Sequence, residues 1–195
     1  MSHADSGAAF DPGSLTRGNI TYFPVVPGKL EFAIELRRLL RERRPEIVAV
    51  ELPGFLEEAY LEAAARLPEI SAIVYEDPAR DGEGIYLMVE PCDPFLEAVR
   101  TGLELGAGIE FIEPDSAERP HLRGDYPDPY AIRRIGAAKY VEAYRVYAQP
   151  RTAEIQAHAA AMAWKLQGAD PLANILVVVS LNVLDPLLDA METPQ

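Results

Sequence analysis

The chain has 195 residues, of which 49% are hydrophobic and 25% are charged, and its formal net charge is −13. A chain of this length and composition suits one globular domain, which buries about 70% of the surface that its unfolded form exposes. The acidic balance argues against nucleic acid as a partner, since phosphate binding needs concentrated Lys and Arg. The single cysteine, Cys92, cannot form an internal disulfide, and no apolar run reaches the length of a membrane helix.

Residues 1–18 mix Ser, Ala, Asp and Gly, without the basic start and apolar core of a signal peptide. We therefore expect a cytoplasmic protein in which residues 1–18 form a flexible tail. Residues 19–192 are predicted to form a single α/β domain. Because the chain ends soon after a short predicted helix, we expect this domain to be the core of a natural protein that extends beyond Gln195.

Strand and helix patterns alternate along the predicted domain. The first predicted strand, residues 19–26, contains Pro24, which favours a sheet edge or an irregular strand end. Residues 46–53 form an apolar run that is too short for a helix and is typical of a strand buried on both faces. Residues 174–179 are the most β-branched stretch and are predicted to be a central strand. The other predicted strands are residues 70–75, 85–89 and 109–112, and the predicted helices are residues 30–44, 54–67, 95–105, 129–147, 151–166 and 187–191.

This alternation predicts an α/β fold, with a mostly parallel sheet of about five to six strands and helices on both faces. Two Asp-Pro pairs, Asp93-Pro94 and Asp185-Pro186, predict helix starts, because Asp caps a helix and Pro is accepted at its first position. Residues 113–128 are polar and rich in Pro. A stretch of that length predicts a lid, a binding loop or a disordered segment.

Acidic residues follow four of the predicted strands. They are Glu51, Glu76, Glu90 and Glu113, with Asp115 close behind the last. Open α/β sheets bind ligands at the carboxyl ends of their strands, so we expect a site at this edge. Clustered carboxylates need cations, and a site made of oxygen ligands favours Mg²⁺, Ca²⁺ or Mn²⁺ over Zn²⁺. Glu51, Glu113 and Asp115 are therefore candidate metal ligands, unless these acids cap the following helices or face solvent.

Three motifs resemble the TraB, ChaN and Tiki superfamily. They are Arg-Pro-Glu-Ile-Val-Ala-Val-Glu-Leu-Pro at 44–53, Pro-Cys-Asp-Pro-Phe-Leu-Glu-Ala-Val-Arg at 91–100 and Ile-Glu-Phe-Ile-Glu-Pro-Asp at 109–115. The chain looks closest to an uncharacterised bacterial branch whose genes lie near those of MoxR-type ATPases and von Willebrand-factor-A proteins. The resemblance implies a divalent metal bound by two Gly-x-x-His motifs and by a Glu that matches Glu51. It also implies a superfamily Arg that matches Arg151.

The chain departs from this pattern at the histidines. The two regions that match the Gly-x-x-His motifs, residues 23–29 and 179–184, contain no His. Of the three histidines, His3 lies in the predicted tail and His121 lies in the predicted loop. His158 lies among alanines and is interpreted as a packed or half-exposed helix residue. If the resemblance holds, the metal site has lost its imidazoles.

Three functions remain open. The missing histidines favour a non-catalytic binding or assembly module, with a MoxR-type ATPase as a possible partner. The strand-end acids favour a divalent-metal hydrolase, in which Glu51, Glu113 and Asp115 hold the metal and Arg151 stabilises developing negative charge. The third function is a small-molecule-binding domain, with the strand-end cleft as its pocket and residues 113–128 as its lid. The candidate ligand-binding residues are Lys29, Glu90 and His121, a homo-oligomer remains open, and no nucleic acid or membrane is expected.

Overall fold

The computed structural model describes residues 15–76, 84–114, 125–147 and 151–194. A five-stranded sheet runs through it in the order β1-β2-β7-β3-β6, and β4 and β5 form a separate two-stranded sheet. The strands are β1 (Thr16–Arg17), β2 (Ile20–Val25), β3 (Ile47–Pro53), β4 (Ser71–Glu76), β5 (Gly84–Val89), β6 (Gly108–Glu113) and β7 (Ile175–Ser180). The helices are α1 (Leu30–Arg43), α2 (Glu57–Ala65), α3 (Pro94–Leu105), α4 (Ile132–Arg145), α5 (Ala153–Gln167) and α6 (Leu181–Met191).

The larger sheet is mostly parallel. Strands β2, β7, β3 and β6 run in one direction, and only the short β1 is antiparallel to its neighbour β2. Every residue of β2 and β7 is buried, because α1 and α3 pack together over one face of the sheet while α5 and α6 pack together over the other. The predicted α/β fold is therefore confirmed, and β7 is a central strand as its β-branched sequence predicted.

Strands β4 and β5 correct the expectation that every strand joins one parallel sheet. They form an antiparallel hairpin, with Ser71 opposite Val89 and Glu76 opposite Gly84. Two features of the sequence explain the difference. The stretch between Glu76 and Gly84 is too short for a crossover between parallel strands, which takes a dozen or more residues. In addition, alternate residues of β4 are exposed, which is typical of a strand that is covered on one face only.

Two predicted helices also differ from the structure. The last helix, predicted to start at Asp185-Pro186, begins directly after β7 at Leu181 and contains Pro186 in its interior. A proline inside a helix removes one backbone hydrogen bond, and the burial of the apolar residues of α6 outweighs that loss. The predicted continuous helix 129–147 is a 3₁₀ turn at Pro129–Ala131 followed by α4, in which Gly136 has non-helical backbone angles.

The folded part of the chain begins before residue 19, where the predicted tail was expected to end. Thr16 and Arg17 already pair with β2, while residues 1–14 of that tail lie outside the described residues. Pro24 lies in a part of β2 that the two-residue β1 does not pair with, so one side of the strand is an edge there. An edge is the position that proline favours, because it has no N–H to donate. None of the helices in the described part of the chain is long and apolar enough to cross a membrane.

Candidate functional site

The carboxylate of Glu51 connects three elements at the carboxyl edge of the larger sheet. Glu51 is near the end of β3 and is only 1% exposed. Its Oε1 lies 3.1 Å from Nε2 of His158 on α5, and its Oε2 accepts a hydrogen bond from the backbone N–H of Ser180, where β7 ends and α6 begins. A buried carboxylate needs such partners, so the position of Glu51 is fixed by both neighbours.

His158 reaches Glu51 because of its place on α5. The buried face of that helix includes Ile155, Ala159 and Met162, and His158 shares this face at 6% exposure. A buried imidazole without a hydrogen bond would lose its solvation without replacement. Because a carboxylate can only accept hydrogen bonds, Nε2 is assigned as the donor in this pair, and Nδ1 is the ring nitrogen that Glu51 does not engage.

Ser180 occupies the N-cap position of α6 without capping it. Its side chain makes no capping hydrogen bond, and its own N–H is bound by Glu51. The negative charge of Glu51 thus lies at the positive end of the α6 dipole. Glu51 therefore also has a structural role, since it joins β3 to the start of α6.

A partly open pocket of about 250 Å³ lies beside these three residues. Its other polar side chains belong to Asp93 and Tyr60, and its remaining walls are apolar. These walls are formed by Pro27, Leu52, Leu87, Met88 and Phe95. Residues from the ends of β3 and β7 and from the turn after β2 line the pocket, so it lies at the sheet edge where the sequence predicted a site.

Asp93 ties the start of α3 to the turn after β2. Its Oδ1 accepts hydrogen bonds from the N–H groups of Phe95 and Leu96 at 2.8 and 3.2 Å, and its Oδ2 accepts one from Gly28 at 3.1 Å. Gly28 has a φ of 68°, a backbone conformation that favours glycine. Burial raises the pKa of the Asp93 carboxyl, while these three hydrogen bonds act in the opposite direction.

Tyr126 contacts the first turn of α6. The Tyr126 hydroxyl donates a hydrogen bond to Oδ1 of Asn182, and its ring stacks on Tyr144 with 5.9 Å between centroids. Burial raises the pKa of Tyr126, and the negative charge of Glu51 adds to that rise. Tyr126 is therefore within electrostatic reach of the Glu51 carboxylate.

Among the predicted site residues that the structure describes, only Glu51 lines the pocket. Glu113 is buried at the end of β6 and does not line it. Arg151 is exposed and pairs with Asp189, which is also exposed. Lys29 is exposed at the start of α1, Glu90 accepts a hydrogen bond from the Cys92 thiol at 3.3 Å, and Glu76 is on the hairpin.

Asp115 and His121 lie outside the described residues, so the predicted metal site of Glu51, Glu113 and Asp115 stays a prediction. Within the described ranges, no three His, Cys, Asp or Glu side chains are close enough together to hold a metal ion. Both oxygens of Glu51 are engaged, by His158 and by Ser180. The described residues therefore do not form the ligand set that the superfamily resemblance implies.

Sequence reasoning missed the role of His158. The interpretation of His158 as packed was correct, and the structure adds that its imidazole contacts Glu51, from α5 and not from a Gly-x-x-His motif. The expectation that a metal site has lost its imidazoles stays a prediction. One signal was present. His158 falls three residues after Ile155 and four before Met162, on the buried face of an amphipathic helix, where a polar side chain needs a partner.

Fold and site together define an α/β protein with a strand-end pocket that contains a buried Glu–His pair. Comparison of the chain with protein-family models, with curated proteins and with solved structures finds no match. The resemblance to the TraB, ChaN and Tiki superfamily therefore rests on the motifs quoted above.

Proposed function

We propose that this domain binds a small molecule in the strand-end pocket, and that His158, oriented by Glu51, accepts a hydrogen bond or a proton from it. The observation that carries this proposal is the Glu51–His158 hydrogen bond on the wall of the pocket. Glu51 holds Nε2, so the ring has a fixed orientation and Nδ1 is the nitrogen left to interact with a ligand. This pairing of a carboxylate with an imidazole is the arrangement that general bases use.

The lining of the pocket indicates the chemical class of the ligand. Glu51 and Asp93 contribute two carboxylates, and the described lining includes no Lys or Arg. Such a pocket disfavours carboxylates and phosphates and favours a cation or a hydrogen-bond donor. The apolar walls favour a hydrocarbon body, and a volume of about 250 Å³ is below that of a pocket for a drug-sized ligand. A small organic amine with an apolar body fits all three features.

A ligand screen by saturation-transfer NMR tests this proposal. Benzylamine and benzoate make a matched pair, since they share a ring and differ in the charge of the polar end. We expect saturation transfer to benzylamine, weakened in Asp93→Asn and in His158→Gln, and none to benzoate. Arg151→Gln is the matched control, because Arg151 is exposed and does not line the pocket. Equal binding of benzoate, or an equal loss in Arg151→Gln, would refute the proposal.

The position of Ser180 favours a second candidate function, ester or amide hydrolysis. Ser180 lines the same pocket as His158, and its hydroxyl is not used to cap α6. A hydroxyl near an oriented imidazole is the combination used for nucleophilic catalysis. A fluorophosphonate probe tests this function, since Ser180 should displace its fluoride and carry the phosphonyl group in the natural chain, with no labelling in Ser180→Ala or His158→Gln. The absence of labelling would exclude serine-based hydrolysis and leave the binding function intact.

The binding or assembly module, with a MoxR-type ATPase as its partner, stays a proposal that rests on the motif resemblance. The metal-dependent hydrolase likewise stays a proposal, because Asp115 is outside the described residues. Elemental analysis of the purified protein after incubation with Mg²⁺, Ca²⁺ or Mn²⁺ tests the second of these. Roughly stoichiometric metal that is lost in Glu51→Gln would support it, and metal that is unchanged in that variant would contradict the role of Glu51.

A further inference from the structure

The hairpin of β4 and β5 has one apolar face that the rest of the described structure does not cover. The side chains of Val74 and Tyr86 are paired across the two strands, and so are those of Ala72 and Met88. Val74 is 58% exposed, Tyr86 71% and Met88 49%. We call these four residues the outer face of the hairpin.

The opposite face of the hairpin is already occupied. Ile73 and Leu87, another cross-strand pair, pack against the main hydrophobic core. Tyr75 on the same face makes an edge-to-face contact with Phe55, with 5.3 Å between ring centroids. Helix α2 also packs on both strands. Because these contacts fix the hairpin in one orientation, its outer face cannot turn inward to join the core.

An outer face of this composition is unusual for an antiparallel hairpin. One-sided antiparallel sheets normally place polar side chains on the solvated face. Here each outward position from Ala72 to Val74, and from Tyr86 to Met88, is apolar, and Ile70 just before β4 is 66% exposed. Contiguous exposed apolar side chains with charged neighbours are typical of a protein interaction site.

The charges around the outer face decide which partner fits it. Glu76 is exposed on the outer face itself, opposite Gly84, and Glu69, which precedes Ile70, is exposed as well. The chain as a whole carries a formal net charge of −13. A second copy of this chain would bring two acidic surfaces together, and an anionic membrane would be repelled in the same way. Basic residues around an apolar surface are the complement.

We propose that the outer face of the hairpin docks an amphipathic protein segment whose apolar side chains are flanked by Lys or Arg. The apolar side chains would cover Val74, Tyr86 and Met88, and the basic ones would pair with Glu76 and Glu69. This interaction does not depend on the pocket ligand proposed above. Since Met88 both belongs to the outer face and lines the pocket, a docked segment would lie beside the mouth of the pocket.

Three labelled peptides test the proposal with the full chain by fluorescence anisotropy. The first is an amphipathic Leu/Lys peptide, the second replaces its Lys by Glu, and the third replaces its Leu by Ser. We expect the Leu/Lys peptide alone to bind at 150 mM salt. In the double variant Val74→Thr/Tyr86→Ser the dissociation constant should rise at least tenfold. In Glu76→Lys it should rise as well, by a smaller factor.

The matched control is Trp164→Ser, which removes a 64% exposed apolar side chain from α5, far along the chain from the hairpin. It should leave peptide binding unchanged. Circular dichroism and a urea midpoint establish that each variant is folded. The proposal fails if the double variant binds as well as the natural chain, or if the Leu/Glu or Ser/Lys peptide binds equally. It also fails if sedimentation shows self-association that depends on Tyr86, or if vesicles with anionic lipids bind in place of the peptide.

Discussion

The carboxylate of Glu51 meets the imidazole of His158 although the two residues are 107 positions apart in the chain. Their contact joins the central strand β3 to α5, and the second oxygen of Glu51 adds the start of α6. One buried side chain therefore holds three elements together at the edge where the pocket lies. Stability and ligand binding are expected to change together when this side chain is altered.

Removal of the Glu51 carboxylate should destabilise the fold strongly. Glu51→Ala leaves the His158 ring and the Ser180 N–H without their acceptor, and we expect a loss of about 2–4 kcal/mol in the free energy of unfolding. Glu51→Gln should lose less, because its amide oxygen can still accept from one of them. Urea denaturation measures both variants. Glu62→Ala, which removes an exposed partner of Arg66, is the control and should change stability by no more than about 0.5 kcal/mol. A similarly small effect of Glu51→Ala would contradict a structural role for the carboxylate.

Asp93 should matter for stability as a helix cap more than as a charge. Asp93→Ala removes the acceptor of three backbone N–H groups, and we expect a loss of about 1–2 kcal/mol. Asp93→Asn keeps an oxygen that can cap α3, so it should stay within about 0.5 kcal/mol of the natural chain. Thermal or urea unfolding distinguishes the two. Equal losses in both variants would mean that the negative charge, and not the cap, is what the fold requires.

Two aspartates of α6 each form an ion pair with an arginine from another part of the chain, and the strengths of the two pairs can be compared. Arg145 donates to both oxygens of Asp185, with Nε 3.1 and 3.0 Å away, and this pair is partly buried. Arg151 and Asp189 form the second pair, and both are more than half exposed. Double-mutant cycles to Ala should give a coupling of about 1 kcal/mol for the first pair and less than about 0.5 kcal/mol for the second. A stronger coupling for Arg151 would point to a role beyond a surface charge.

Stability should fall at alkaline pH because of buried tyrosines. Burial raises the pKa of Tyr140 to about 12, and its hydroxyl donates to the carbonyl of Pro127 at 2.6 Å. Between pH 10 and about 12 the unfolded chain releases this proton while the folded chain retains it, so the free energy of unfolding decreases as the pH rises. Below pH 10 Tyr140 is protonated in both the folded and the unfolded chain, so it adds no pH dependence to the free energy of unfolding.

Urea unfolding at pH 9, 10 and 11 measures this decrease, with tyrosinate absorbance as a second signal. In Tyr140→Phe the decrease should be shallower, although stability at neutral pH falls by about 1 kcal/mol through the lost hydrogen bond. An unchanged slope in this variant would show that Tyr140 does not retain its proton in the folded state.

Most of the fold followed from local signals in the sequence. The apolar runs of β3 and β7 and the Asp93-Pro94 start of α3 are where the pattern predicted them, and α3 ends at Leu105 as predicted. These features are local, because each depends on residues that are close in the chain. Strand pairing is not local, and the separation of β4 and β5 from the larger sheet was therefore missed.

The site was predicted only in part, for a similar reason. Glu51 could be predicted as a site residue because it lies near the carboxyl end of a buried strand. In an open α/β sheet, that end of the strands is the edge where ligands bind. His158 belongs to a helix about four-fifths of the way along the chain, and the residues next to it in sequence do not indicate that its partner is Glu51. Ser180 was missed as well, because the Asp185-Pro186 pair predicts a helix start at that point in the chain. The packed helix α6 instead begins at Leu181, directly after Ser180.

The pocket is assembled from two sheets that do not share a hydrogen bond. Glu51, Leu52 and Ser180 come from the larger sheet, whereas Leu87 and Met88 come from the hairpin. Related proteins could therefore exchange the hairpin for another sequence and leave the Glu51–His158 pair in place. In such a design, the Glu–His pair is inherited with the framework, and the apolar walls of the pocket can evolve separately in a segment of some twenty residues.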